Sequence, residues 1–181
     1  PEALIREHFQ TADNLTDRRA ALAVLLDVEG FAEGFTQGLL DEFYSAWKHE
    51  ALVVDTWISL QAGSQLAGAL RRVEALEAHS AFDAKNPNKV RALYGAFAMG
   101  NHANFHAADG SGYRFLAERI IRLNETNPQI ASRLTGPLTQ WQRYTRDVQT
   151  QMRAALSQIL DSQGLSPNVF ELVSKSLDVA D

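Results

Sequence analysis

Phe35-Thr36-Gln37-Gly38-Leu39-Leu40-Asp41-Glu42-Phe43-Tyr44-Ser45-Ala46-Trp47-Lys48 carries its apolar residues at a helical step. Phe35, Leu39, Leu40, Phe43 and Trp47 recur every three or four positions, and Asp41, Glu42, Ser45 and Lys48 fall on the opposite face. The same template fits on either side of it. Val90, Leu93, Tyr94 and Phe97 follow it, as do Val148, Met152, Ala155, Leu156 and Ile159. Tyr113, Leu116, Ile120 and Leu123 follow it too, with Arg114, Glu118, Arg119 and Arg122 expected outward. β-Branched runs of period two are missing, so no strands are expected and the fold class is all-α.

Helix starts are marked by short polar side chains. Thr16 is placed to cap a helix running from Asp17 to Leu26, with Asp17 at its positive end. Asn86-Pro87, Asn127-Pro128 and Ser166-Pro167 each pair a capping side chain with a proline that has no N–H to lose. Pro87 to Pro128 is 41 residues and Pro128 to Pro167 is 39. Leu93 with Gly95 and Leu134 with Gly136 stand at the same offsets downstream. A period near 40 with paired helices belongs to a helical-repeat solenoid, in which one pair cannot bury its apolar face alone. The expectation is one domain over 1–181, an α-α superhelix or right-angle array of about nine or ten short helices. Loops are expected around Gly63, Ser64 and Gln65 and over Ala81 to Asn88.

Composition excludes several functions. Hydrophobic residues at 45% and charged residues at 22% are ordinary for a globular domain with a sizeable core. A net charge of −5 and a pI near 5.5 speak against a nucleic-acid surface. Arg18-Arg19 and Arg71-Arg72 have acids nearby and read as solvated faces. No apolar run approaches the ~20 residues needed to span a bilayer, so no membrane partner is expected. The chain has no cysteine, hence no disulfide or thiol chemistry, which suits a reducing cytoplasm. It begins at Pro1 rather than Met, which reads as an excised piece of a longer protein.

The chemistry that the residues could carry is sparse. A zinc-peptidase helix needs two histidines four apart with a glutamate after the first; His49-Glu50 begins that pattern, but Val53 stands where the second histidine belongs. His102 and His106 are four apart with Asp109 nearby, which can be drawn as a metal site or as a packed helix end; lacking a further ligand, the packed end is the better reading. Asp109-Gly110-Ser111-Gly112 has the look of a phosphate cradle without the lysine or preceding strand, and reads better as a tight turn with Ser111 capping the next helix. Trp47, Trp57 and Trp141 are expected in the core rather than on a binding face. No catalytic residue and no metal ligand are assigned.

Several tracts resemble the C-terminal region of zinc aminopeptidases of the bacterial aminopeptidase N type. They are Asp13 to Arg18, Ala81-Phe82-Asp83, Lys85 to Asn88, Val90 to Leu93, Phe105 to Tyr113, Asn127 to Leu134 and Val173 to Leu177. They occur in the family's order and cover nearly the whole chain; Leu15 stands where the family usually has methionine. The resemblance implies a parent with upstream β domains and a thermolysin-like catalytic domain that holds the zinc, so no cofactor is expected in this chain itself. It implies that this helical domain closes over the catalytic domain and controls the access of peptides. Arg133 is then the residue expected to face the peptide, with Gln129 one turn earlier, against the plain alternative that Arg133 only caps its helix or sits on the surface. The rival reading is a freestanding helical-repeat scaffold for a partner protein. An isolated closing domain is also expected to self-associate through the apolar surface it would otherwise bury.

Overall fold

Several helices here begin where a short side chain accepts a backbone N–H that has no partner within the helix. In the computed structural model, which describes residues 2–178, Asn86 Oδ1 accepts from Asn88 N–H at 2.9 Å and Asn127 Oδ1 from Ile130 N–H at 3.3 Å. Ser166 Oγ accepts from Val169 N–H at 3.5 Å. Each stands before a proline at the first helical position, as the sequence predicts. The start near residue 16 differs. Asn14, in extended backbone, accepts from Asp17 N–H at 2.9 Å, so the cap is Asn14 and Thr16 lies inside the helix.

In chain order the helices are α1 (Glu2–Thr11), α2 (Leu15–Asp27), α3 (Glu33–Trp47), α4 (Ala51–Gly63), α5 (Ala69–Glu77), α6 (Pro87–Val90) and α7 (Ala96–Gly100). They continue as α8 (His102–Phe105), α9 (Ser111–Thr126), α10 (Pro128–Leu134), α11 (Gly136–Thr139), α12 (Arg146–Leu160) and α13 (Pro167–Asp178). A π-helical segment, Arg91–Gly95, joins α6 to α7 in one unbroken run. With that run counted once, ten helical runs exceed a single turn among the described residues, in line with the nine or ten expected, and none of those residues forms a strand.

Helices α2, α3 and α5 and the run over 87–100 pack on α4; α10 and α12 pack on α9, and α13 closes against α12 and α10. Several side-chain hydrogen bonds between these layers have a similar spacing. Ser64 Oγ donates to Leu26 O, Asn101 Nδ2 to Ala62 O, Asn104 Nδ2 to Leu66 O, Asn124 Nδ2 to Gly164 O and Gln151 Nε2 to Ala108 O. The partners are 38, 39, 38, 40 and 43 residues apart. That is the interval between the Asx- and Ser-Pro starts. Each repeat is stapled to the next, which is how a solenoid buries a continuous core.

That core runs through Leu22, Leu39, Ile58, Leu93, Phe97, Leu116, Ile120, Leu156 and Ile159, all buried. Trp57 and Trp141 are buried as expected, their indole N–H groups donating to Leu40 O at 3.0 Å and Ser176 O at 3.2 Å; Trp47 is half-buried. Arg119 departs from its expected outward position. It is 8% exposed, its guanidinium donates to both Glu77 carboxylate oxygens at 2.7 and 2.8 Å, and it lies 3.9 Å over the Phe115 ring. Periodicity within α9 contains no trace of Glu77, which arrives from α5, one repeat away.

Candidate functional site

Arg133 stands near the end of α10, exposed on the face turned toward the run over 87–100. Two adjoining depressions meet at its side chain. The first, about 120 Å³, lies between Arg91, Gly95 and Met99 on one side and Ile130, Arg133 and Leu134 on the other. The second, about 390 Å³, is lined by Met99, His102, Phe105 and His106 and by Arg133, Pro137, Gln140 and Tyr144. Gln129 is exposed one turn before Arg133 and lines neither depression.

The π-helical segment shapes the first depression. An i to i+5 turn inserts an extra residue per turn and shifts the face that every later side chain presents. Arg91 opens the segment and Gly95 closes it. Gly95 adds no side chain between Arg91 and Met99, and a Cβ there would touch both at 3.4 Å. Arg91 also donates to Asn88 Oδ1 at 3.1 Å, which steadies it at the rim.

In the second depression, His106 connects the surface to the core. Its Nδ1 lies 2.7 Å from the Tyr113 hydroxyl and its Nε2 lies 3.4 Å from the Tyr144 hydroxyl. The His102 ring is parallel to it, 6.0 Å away at 6°. Burial, and after it the neighbouring His102, hold the His106 imidazole below the ordinary histidine range. A neutral ring offers one donor and one acceptor, which suits two hydroxyls. Burial pushes the Tyr113 hydroxyl up to about 12, with Tyr144 adding to the shift, so it stays protonated at neutral pH.

Among the described residues, Arg91, Arg133, His102 and His106 are the titratable side chains of the combined cleft besides Tyr144, and no described aspartate or glutamate lines either depression. In a chain of net charge −5 this is a local reversal of sign. It favours a ligand that brings oxygen acceptors or a carboxylate.

The other candidates resolve as structural parts. Asp109 Oδ1 accepts from Ser111 N–H at 2.9 Å, and those hydrogen bonds with Ser111 hold the carboxylate below its usual range. Ser111 is already the first helical residue of α9 and its side chain caps nothing; the residue before it, Gly110, takes φ +69°. Asp109 therefore does the capping work expected of Ser111, because the backbone turns helical one residue early. Among the described residues no group of three or more His, Cys, Asp or Glu is gathered to hold a metal ion. His49 and Glu50 lie at the junction of α3 and α4 rather than on one helical face.

Sequence reasoning reached Arg133 through the resemblance and passed over Arg91, Met99 and Tyr144. Arg91 belongs to the tract Val90 to Leu93 that carries the resemblance, but nothing local distinguishes a cleft arginine from a solvated one.

The comparisons agree with this architecture. The family model described as a domain of unknown function (DUF3458_C) with ARM repeats matches residues 1–178. Aminopeptidase N of Escherichia coli strain K12 is 42% identical over 176 residues, covering 97% of this chain and 20% of that protein. Aminopeptidase N of Caulobacter vibrioides is 41% identical over 170 residues, covering 94% of this chain and 19% of that one. The crystal structure of Legionella pneumophila aminopeptidase A in complex with aspartic acid superposes with a TM-score of 0.91 at 32% identity, covering 98% of this chain and 21% of that one. This chain thus spans about a fifth of the length of the relatives it matches. Through a helical repeat read in the sequence, seen in the stacking and matched along nearly all its length, the chain belongs to the DUF3458_C family of ARM-repeat domains.

Proposed function

We propose that this domain is the closing part of a bacterial zinc aminopeptidase, which removes N-terminal residues from peptides, and that it covers the catalytic site and governs which peptides enter. In this reading the zinc and the catalytic residues lie on other segments of the parent chain, the catalytic domain of that chain is the partner, and the enzyme works in the cytoplasm. The observation that carries the reading is the cleft at Arg133: two arginines and two histidines over an apolar floor, with no carboxylate in the lining. A guanidinium there can hold a carbonyl or carboxylate oxygen of a peptide in a fixed geometry.

Kinetics on the full-length enzyme tests it. Arg133→Ala is expected to lower kcat/KM about tenfold or more for several peptides, the equivalent of one hydrogen bond to a charged group. If both kcat and KM stay at wild-type values for every peptide tried, Arg133 does not face the substrate.

A further inference from the structure

The second depression is built differently from the rest of the surface. Met99 is 60% exposed and Tyr144 is 37% exposed, and buried Phe105 closes the floor between them. A thioether beside aromatic rings makes an adaptable apolar wall. Tyr144, despite its exposure, is held. Its hydroxyl meets His106 Nε2 at 3.4 Å, the two rings stand 4.8 Å apart, and its carbonyl accepts from Gln149 Nε2 at 2.9 Å. His106 is itself tied at 2.7 Å to the hydroxyl of Tyr113, whose side chain is wholly buried. An aromatic wall fixed before binding loses little side-chain freedom on receiving a guest.

An occupant must satisfy both halves of this surface at once. Arg133 stands on the rim and calls for an oxygen acceptor, and no aspartate or glutamate competes for it within the depression. Beside it, the floor calls for an apolar group. A peptide carries backbone oxygens beside its apolar side chains, which fits the peptide-cleaving role and rests on it.

We propose that this depression is a subsite for an aromatic side chain of the substrate peptide, with Met99 and Tyr144 determining that preference and His106 positioning Tyr144. The aromatic ring lies against the Met99 and Tyr144 walls while Arg133 holds the neighbouring backbone oxygen.

The test uses the full-length enzyme and pairs of peptides with the same length and N-terminal residue, differing by Phe or Ala at one downstream position moved along the chain. At one position the wild type is expected to favour Phe by about tenfold in kcat/KM, the worth of burying much of an aromatic ring. Met99→Ala and Tyr144→Ala are each expected to reduce that ratio at least about threefold. His106→Ala is expected to raise KM for the Phe peptide with kcat nearly kept, and His106→Asn, which keeps a donor and an acceptor, to restore part of the loss. Because Met99 is a surface residue, its substitution reports on the subsite even if changes at His106 disturb packing. A Phe-to-Ala ratio near one at every position, or one untouched by both wall substitutions, overturns the subsite alone. A wild-type parent that releases no N-terminal residue from any peptide overturns the peptide-cleaving role and the subsite with it.

Discussion

Gly110 and Gly112 sit two residues apart and are glycine for different reasons. Gly110 takes φ +69°, in the left-handed region that disfavours side chains. Gly112 is in ordinary helical conformation, but a Cβ there would lie 2.3 Å from the Phe105 carbonyl oxygen and 2.7 Å from its Cα. The obstacle is backbone, so it cannot swing aside. Gly112→Ala is expected to cost about 1–3 kcal/mol, toward the upper end, as a lowered urea midpoint with an unchanged slope; an unaltered midpoint would mean that α8 and α9 do not approach so closely. The turn itself was legible from Asp109 to Gly112. The close approach was not, because the atom that makes it belongs to Phe105 in the preceding helix. Arg133 shows the same division: the resemblance singled it out, whereas Arg91, Met99 and Tyr144 join it only because the 87–100 run, α10 and the segment before α12 converge in space.

At the scale of elements, the proline-marked starts and most faces were written locally. The three Asx- or Ser-Pro pairs open α6, α10 and α13 where expected, since a cap and a proline act on their own first turn. The start of α2 was misplaced by two residues, because Asn14 and Thr16 both have capping side chains and the stronger N-cap preference of asparagine was passed over. The geometry separates them. Asn14→Ala is expected to cost about 1 kcal/mol in thermal or chemical denaturation, and Thr16→Ala only a small fraction of that; equal losses would restore Thr16 as the cap. The π-helical segment had no visible signal. Arg91 to Gly95 reads as ordinary helix, and the wider turn is packed against α4 and α5, from other parts of the chain.

Across the whole molecule, the repeat of about 40 residues is the feature on which sequence and structure meet. Proline spacing announced it, and the hydrogen bonds from one layer to the next keep nearly the same interval. Asn124 is one such staple. It is 5% exposed, its Nδ2 donates to Gly164 O at 2.9 Å, and its Oδ1 accepts from Ser166 N–H at 2.9 Å. Asn124→Ala removes both bonds and is expected to cost about 1–2 kcal/mol and to loosen α13 first, read as faster amide exchange in that helix. Exchange raised evenly over all helices would mean that the layers are not separately stapled. By itself the sequence determined the all-helical class, the three proline-marked helix starts, most inward faces and the repeat, because each of these depends on a residue and neighbours within a turn or two. Only the tertiary structure decided the burial of Arg119 on Glu77, the π turn and the carboxylate-free cleft around Arg133. Those arise where side chains from different repeats meet, and the packing of one layer on another chooses which ones do.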